Sequence, residues 1–352
     1  MLESTSCDRP LGRSIKKNSL SERFAQVMSG LCPLWPQGRY LCAFSGGGDS
    51  MALLALLRDY LSPDNLLAAH LDHCLRPSSE AEAKKAKEAA EHLGLECCVE
   101  KREVKLLAQQ RGKGLEEAAR FARYEFLERQ LDDWGGHWLL TAHQAQDQAE
   151  TIVLKLARGS GPGGLMGIPA QRGRIIRPLL SFERGELLEF LKSRSLSWLE
   201  DESNQEIKFS RNLVRHRVLP QFERLNPAYL AALSRVARLA ADEELFWDNT
   251  VSRLSRSLTQ RLEPCLIKLE AAGFMALSLA EQRRLVGRLL RDILSPKADG
   301  GEPISLLSVD MVLDLAQRPG AGGLDLPGGR RVEWGQGNLY FGLCSRFKSI
   351  FS

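Results

Sequence analysis

The sequence predicts an α/β fold, a doubly wound parallel sheet followed by a mainly helical C-terminal domain. Short apolar runs at 39–44, 66–71, 95–99 and 137–142 are bounded by turns or charges, as buried parallel strands are. Helical patterns separate these runs, and a glycine turn follows the first of them. After Asn226-Pro227 the texture changes to long Leu/Ala/Arg-rich helical patterns with no strand alternation, continuing to about residue 295.

In chain order, residues 1–19 are polar and unpatterned and read as a flexible leader. Ser21–Leu31 has the pattern of a short helix stopped by Pro33. Residues 39–44 form the first strand, and Ser45-Gly-Gly-Gly-Asp-Ser50 the turn into a helix opening on Asp49 and Ser50. Successive glycines let backbone N–H groups converge without side-chain obstruction, and a helix N-terminus adds unsatisfied donors, so the turn is an anion cradle. It lacks the Gly-Lys-Ser/Thr of a Walker-type loop. The alternative is a plain strand-to-helix turn with Asp49 or Ser50 as N-cap.

Ser79-Glu-Ala-Glu82 reads as a capping box before a helix ending near Gly94. Leu115–Trp134 and Ala145–Arg158 repeat apolar residues at helical spacing, the second stopped by the glycine run 159–164 (a lid or only a helix stop). A helix from about Glu183 to Arg194 lies in an additional segment, 174–204. Pro264 splits the later helices, the stretch 296–303 closes them, and 305–345 reads as a helix plus a small β element. The domain expectation is therefore a leader 1–19, a catalytic domain 20–226, a helical domain 227–303 and a small α/β element 304–352.

Composition narrows the class. Hydrophobic residues make up 43% and charged residues 26% of the 352, the balance of an ordinary soluble globular protein of two or three domains. No apolar run approaches the ~20 residues of a membrane helix. No signal pattern opens the chain, so a cytoplasmic setting is expected. The eight cysteines contain no Cys-x-x-Cys, which fits neither a zinc ribbon nor a disulfide framework, and most read as small buried hydrophobes. A net charge of +4 points only weakly to nucleic acid, but 208–238 holds seven Lys/Arg against one acid, Glu223.

Three further groups carry chemistry. His70-Leu-Asp-His73, ending the second strand, presents imidazoles and a carboxylate that suit ATP, a metal, or simply loop backbone. His143, Asp147 and Glu150 fall at spacings of 4 and 3 after the fourth strand, so one helical face or its approach presents all three. Carboxylates beside a triphosphate suit Mg²⁺, although first-turn acids also cap helices. Arg211 and Arg215, four apart, project together and suit a phosphate or charge developing on an adenylate, or else a solvated face.

Ser45–Ser50 resembles the pyrophosphate loop of the ATP-pyrophosphatase superfamily. The wider set resembles the tRNA(Ile)-lysidine synthetase family over roughly residues 39–227. Its pieces are Ser45–Ser50, His70-Leu-Asp-His73 with Leu75-Arg76, Leu115–Arg120 with Arg123-Tyr124, and Ala142-His143. Further on come Asp147–Glu150, Arg158–Gly161, Arg177–Leu180, Asp201–Asn204 and Arg211-Asn212 with Arg215-His216. Departures are Cys74, where the family usually has Gly, and Gln144, Ala145 and Gln146, where His and Asp are common.

The resemblance implies a PP-loop, adenine nucleotide α-hydrolase-like domain and an ATP-dependent ligase that cleaves ATP to AMP and diphosphate. The wobble cytidine of a CAU-anticodon tRNA(Ile) would be adenylated at its C2 oxygen. Free L-lysine would then displace AMP to give lysidine, changing decoding from AUG to AUA. It implies ATP contacts from Ser45, Gly46, Gly47, Gly48, Asp49 and Ser50, and Mg²⁺ held by Asp49 and Asp147. Catalytic roles fall to Asp49, His143, Asp147, Glu150, Arg211 and Arg215, with Glu150 the candidate to receive the lysine ammonium. No membrane and no obligate protein partner are implied, and a homodimer stays open.

Overall fold

The computed structural model describes residues 19–200, 210–293, 304–320 and 322–347. The expected leader (bar Ser19), Asp201–Asn204 and the stretch 296–303 lie outside them. The chain divides into two compact units, Met1–Ala240 and Ala241–Ser352.

In the first unit the strands are β1 (Tyr40–Ala43), β2 (Leu66–Asp72), β3 (Cys97–Lys101), β4 (Trp138–Leu140), β5 (Gln171–Arg172) and β6 (Ile175–Ile176). They form one sheet in the order β3-β2-β1-β4-β6-β5, parallel throughout except for β5, which pairs antiparallel with β6. Alternating side chains feed two cores. Tyr40, Cys42, Leu66 and Ala68 pack on α1 (Leu20–Leu31), α2 (Gly48–Arg58), α3 (Ser79–His92) and, in the same core, Leu187 and Leu191. Leu41, Leu67, Ala69 and Leu139 face the other way, onto α4 (Val104–Arg111) and α5 (Leu115–Asp133). Both faces are covered, which is the doubly wound arrangement. Cys97 and Cys98 join opposite cores, as adjacent strand residues must.

Beyond β4 come α6 (Ala145–Ala157), α7 (Arg184–Ser193), the short α8 (Ser210–Leu213), a π-helical turn (Val214–Val218) and α9 (Leu219–Leu225). The glycine run 159–164 does stop α6, and a 3₁₀ turn, Pro162–Met166, follows it. The capping box expected at Ser79 does not form. Ser78 is the N-cap, and its hydroxyl donates to Glu82 Oε1 at 2.7 Å.

The two halves of the sheet run outward from β1 and β4. The topological switch therefore lies between these strands, and the crevice beyond their carboxyl ends is where an open α/β sheet binds ligands. The glycine turn follows β1 and His143 follows β4, so both arrive at that crevice.

The unit boundary falls within α10 (Tyr229–Leu258). Here the structure corrects an expectation. Residues 259–263 and 266–270 are not helical but form β7 (Thr259–Glu263) and β8 (Leu266–Glu270), turning at Pro264-Cys265. They join β9 (Gly323–Leu326), β10 (Arg330–Gly335) and β11 (Asn338–Leu343) in one antiparallel sheet, order β7-β8-β11-β10-β9. That sheet shares a core with α12 (Leu279–Asp292) and α13 (Leu306–Ala316), numbered after the short α11 (Ala271–Met275). The helical stretch and the small β element are thus one unit. Of the described cysteines only Cys32, Cys42 and Cys97 are fully buried; Cys74, Cys98, Cys265 and Cys344 are half-buried.

Cys74 sits at φ 51°, in the left-handed region. A Cβ there costs about 1–2 kcal/mol, partly offset by the larger unfolded-state entropy of glycine. Cys74→Gly should therefore stabilise the protein by about 0.5–1 kcal/mol, read as a melting temperature about 1–3 °C higher.

Candidate active site

The glycine turn has specific packing demands. Gly46 has φ +81°, and a Cβ on it would meet Leu199 at 2.7 Å; its carbonyl accepts the Leu199 N–H at 2.9 Å. A Cβ on Gly48 would meet Leu188 at 2.7 Å. The turn is thus locked against the 188–199 segment. Inside it, Ser50 Oγ donates to the Gly47 carbonyl at 2.9 Å, and the Ser45 N–H donates to Ser50 Oγ at 3.2 Å. Helix α2 begins at Gly48 with Gly47 as N-cap, so neither Asp49 nor Ser50 caps it. The first-turn N–H groups of Gly48, Asp49 and Ser50 have no intrahelical acceptor and are available to an anion.

Asp49 stands in that first turn with its Oδ1 buried and without a hydrogen-bond partner. Burial raises its carboxyl above the usual range; the Arg184 guanidinium opposes this and the Asp147 carboxylate adds to it. Arg184 Nε lies 4.0 Å from Asp49 Oδ1.

Helix α6 supplies the second carboxylate group. Asp147 Oδ2 accepts the Gln144 N–H at 3.0 Å, closing a capping box in which the Gln144 side chain accepts from the Gln146 N–H. Glu150, one turn further in, is 0% exposed. Arg211 Nε donates to Glu150 Oε2 at 2.6 Å, and Arg215 Nε donates to Oε1 at 2.5 Å. Arg211 also donates to Asp147 Oδ1 at 3.1 Å, and Arg215 Nη2 lies 3.8 Å from the same oxygen. Buried Val214, between the two arginines, packs with Ala145 and Ala149 of α6 and with Leu219 and Leu230. That contact turns both guanidiniums toward the carboxylates. Both Glu150 oxygens are thereby engaged by arginine, which is not the open carboxylate expected for an incoming ammonium. The other described Lys/Arg of 208–238 (Arg217, Arg224, Arg235, Arg238) are exposed.

His143 shares a 2.9 Å hydrogen bond between its Nδ1 and Thr141 Oγ1. Burial, then the guanidiniums of Arg177, Arg211, Arg123 and Arg120, push it down to about 3. It is a neutral imidazole at physiological pH, a hydrogen-bonding group rather than a cation. His70 and Asp72 serve the backbone: His70 Nδ1 bonds the Phe44 carbonyl at 2.9 Å, and Asp72 Oδ1 accepts the Cys74 N–H at 2.8 Å. Arg184 joins the site without having been singled out, its only sequence signal being its place at the start of a predicted helix, and Gln144, noted only as a departure from the family pattern, caps α6 there.

A cavity of about 210 Å³ opens beside the cluster, lined among others by Gln144, Arg184, Arg215, Glu223 and Tyr229. Among the described residues no three His, Cys, Asp or Glu side chains gather as a metal cluster. A two-carboxylate Mg²⁺ site completed by phosphate oxygens is a different case. The orphaned Asp49 oxygen and the lone pairs left on Asp147 fit it.

The PP-loop domain family model matches residues 17–222. The chain is 38% identical over 273 residues to the tRNA(Ile)-lysidine synthase of Thermus thermophilus, covering 76% of this chain and 52% of that protein. It is 36% identical over 304 residues to that of Solibacter usitatus, covering 84% and 66% respectively. The chain thus spans about half to two thirds of the length of these relatives. Among solved structures, a U34-tRNA thiolase from Methanococcus maripaludis superposes with a TM-score of 0.51 at 17% identity, over 62% of this chain and 78% of that one, a likeness of fold alone. With a switch-point glycine loop, an α/β sheet and a family match over more than half its length, the chain belongs to the PP-loop ATP-binding family.

Proposed function

We propose that the protein is a tRNA(Ile)-lysidine synthetase, a cytoplasmic ligase that uses ATP to join free L-lysine to C2 of the wobble cytidine in a CAU anticodon. The observation that carries this reading is the Asp147/Glu150–Arg211/Arg215 cluster beside the glycine loop, in a chain similar to proteins named for that activity. In the first step the cytidine C2 oxygen attacks the ATP α-phosphate and pyrophosphate leaves. In the second the lysine ε-amine attacks C2 and AMP leaves. The product pairs with A, so decoding moves from AUG to AUA.

On this reading the N–H groups of 46–50 receive the leaving pyrophosphate, and Asp49 and Asp147 would hold Mg²⁺. The ion, when bound, offsets phosphate charge. Arg211 and Arg215, braced by Glu150, aim their remaining N–H groups at charge developing on the adenylate. His143 offers a neutral hydrogen bond to the RNA substrate. The amine donor enters by the cavity, where Glu223 has no ion-pair partner among the described residues. The unit from Ala241 onward would add RNA contacts; around its cavity of about 230 Å³, Arg284 and Arg288 are held by Glu244 and Asp292, which leaves Arg291 and Trp247 as the candidates. Sulfur transfer, the chemistry named for the thiolase, is disfavoured: Cys97 and Cys98 face opposite ways, and burial pushes the Cys97 thiol up to about 12.

The test is incubation with ATP, radiolabelled lysine and total tRNA. Lysine should enter tRNA only when ATP is present, with release of AMP and pyrophosphate. Pyrophosphate release that needs tRNA, with no lysine incorporated, would refute the lysine step and leave adenylation standing.

A further inference from the structure

Charge pairing differs among the arginines near His143. Toward α6, the nearby arginines have carboxylates: Arg211 and Arg215 hold Glu150 and Asp147, and Arg184 lies beside Asp49. Three other arginines, Arg120 and Arg123 of α5 and Arg177 just after β6, also act on His143. None of these three makes an ion pair among the described residues.

Arg177 in particular keeps a buried donor without an acceptor. Arg177 is 3% exposed; one of its Nη groups donates to the Pro169 carbonyl at 2.8 Å, and its buried Nε has no partner. Arg123 Nη2 lies 3.3 Å from His73 Nε2, an imidazole where a carboxylate would be expected, and His73 Nδ1 is buried and partnerless. Arg120 lies over the Tyr124 ring at 5.0 Å. Enclosing the Arg177 guanidinium without a counter-charge is unfavourable unless a bound anion compensates, and the exposed Arg120 and Arg123 add positive charge that an anion can reach. Forked guanidinium N–H donors match the oxygens of a phosphate.

That phosphate could come from ATP or from RNA. The charges acting on Asp49, in the ATP loop, are Arg184, Asp147 and Arg215, and none of this second set. A base drawn out of its stack also needs its backbone held in register. We propose that Arg120, Arg123 and Arg177, with His73 and His143, form a socket for the backbone phosphate beside the splayed nucleotide of an RNA substrate. The proposal rests on the RNA reading above.

The test uses the full chain carrying Arg120→Gln or Arg123→Gln, both exposed positions, with Arg123→Lys as the conservative control. Equilibrium binding of unmodified tRNA is measured across salt concentrations, alongside the KM for ATP. Each Gln variant should bind tRNA about tenfold more weakly, with a log–log salt slope shallower by about one, and Lys should recover part of the loss. The KM for ATP should not move. A raised KM for ATP with tRNA binding intact would assign the socket to ATP and overturn the proposal. No change in either would show the arginines to be structural only, and would overturn it too. Failure of lysine incorporation by the unaltered protein is a separate result, which counts against the ligase reading while the binding measurements still judge the socket.

Discussion

Asp49→Asn is expected to raise the melting temperature by about 2–4 °C while cutting tRNA-dependent pyrophosphate release by at least roughly 100-fold. The two effects have one cause. Asp49 Oδ1 is buried without a hydrogen-bond partner, and the Asp147 carboxylate stands nearby with the same sign of charge. An unsatisfied buried acceptor costs roughly 1–3 kcal/mol, and the low end applies because the side chain keeps 29% of its surface and Arg184 lies 4.0 Å away. Asparagine leaves a polar atom in the same place but removes the buried charge and its repulsion from Asp147, giving up the attraction of Arg184 in return, for a net gain of about 1 kcal/mol. It also removes the carboxylate proposed to hold Mg²⁺ against the phosphates. Thermal unfolding and a pyrophosphate assay on the same preparation check both halves. A stable, active Asp49→Asn would remove Asp49 from the metal site.

Much of this arrangement is legible in the sequence. Strand–helix alternation with a glycine turn after the first strand places Ser45–Ser50 and His143 at one sheet edge, because parallel strands present their carboxyl ends on the same side. Spacing showed that Asp147 and Glu150 share a helix face and that Arg211 and Arg215 project together. It could not show that the two pairs meet, since more than sixty residues separate them and the contact depends on Val214 packing against α6. Arg184 was invisible for the same reason, with its partner Asp49 lying in a different element. The missed strands have a local cause. Thr259–Glu263 is almost wholly exposed and carries no alternation, although Leu266-Ile-Lys-Leu269 after Pro264 did hold a strand signal. Cys74 shows the opposite case: a family preference for Gly noted in sequence acquires its reason only from a positive φ.

Glu150→Ala should be the most destabilising single change in the site. The carboxylate is fully enclosed and both its oxygens are bonded to guanidinium nitrogens. Removing one side of a buried ion pair typically costs 3–5 kcal/mol, because the partner charge is left uncompensated. Arg211 and Arg215 retain 39% and 25% of their side-chain surface, so water relieves part of that cost. A loss of about 2–4 kcal/mol remains, a melting temperature roughly 5–10 °C lower. Glu150→Gln separates bracing from packing, since it preserves volume and one acceptor oxygen while removing the charge. It should lose less stability than Ala yet release both arginines from a fixed orientation. Tight orientation is what a preorganised site depends on, so turnover should fall by about 100-fold with the KM for ATP nearly unchanged. If Glu150 instead received the lysine ammonium directly, Glu150→Gln would raise the KM for lysine and leave lysine-independent pyrophosphate release intact. The bracing role predicts loss of both steps together, because on the proposed mechanism Arg211 and Arg215 would act at the adenylate before any amine arrives.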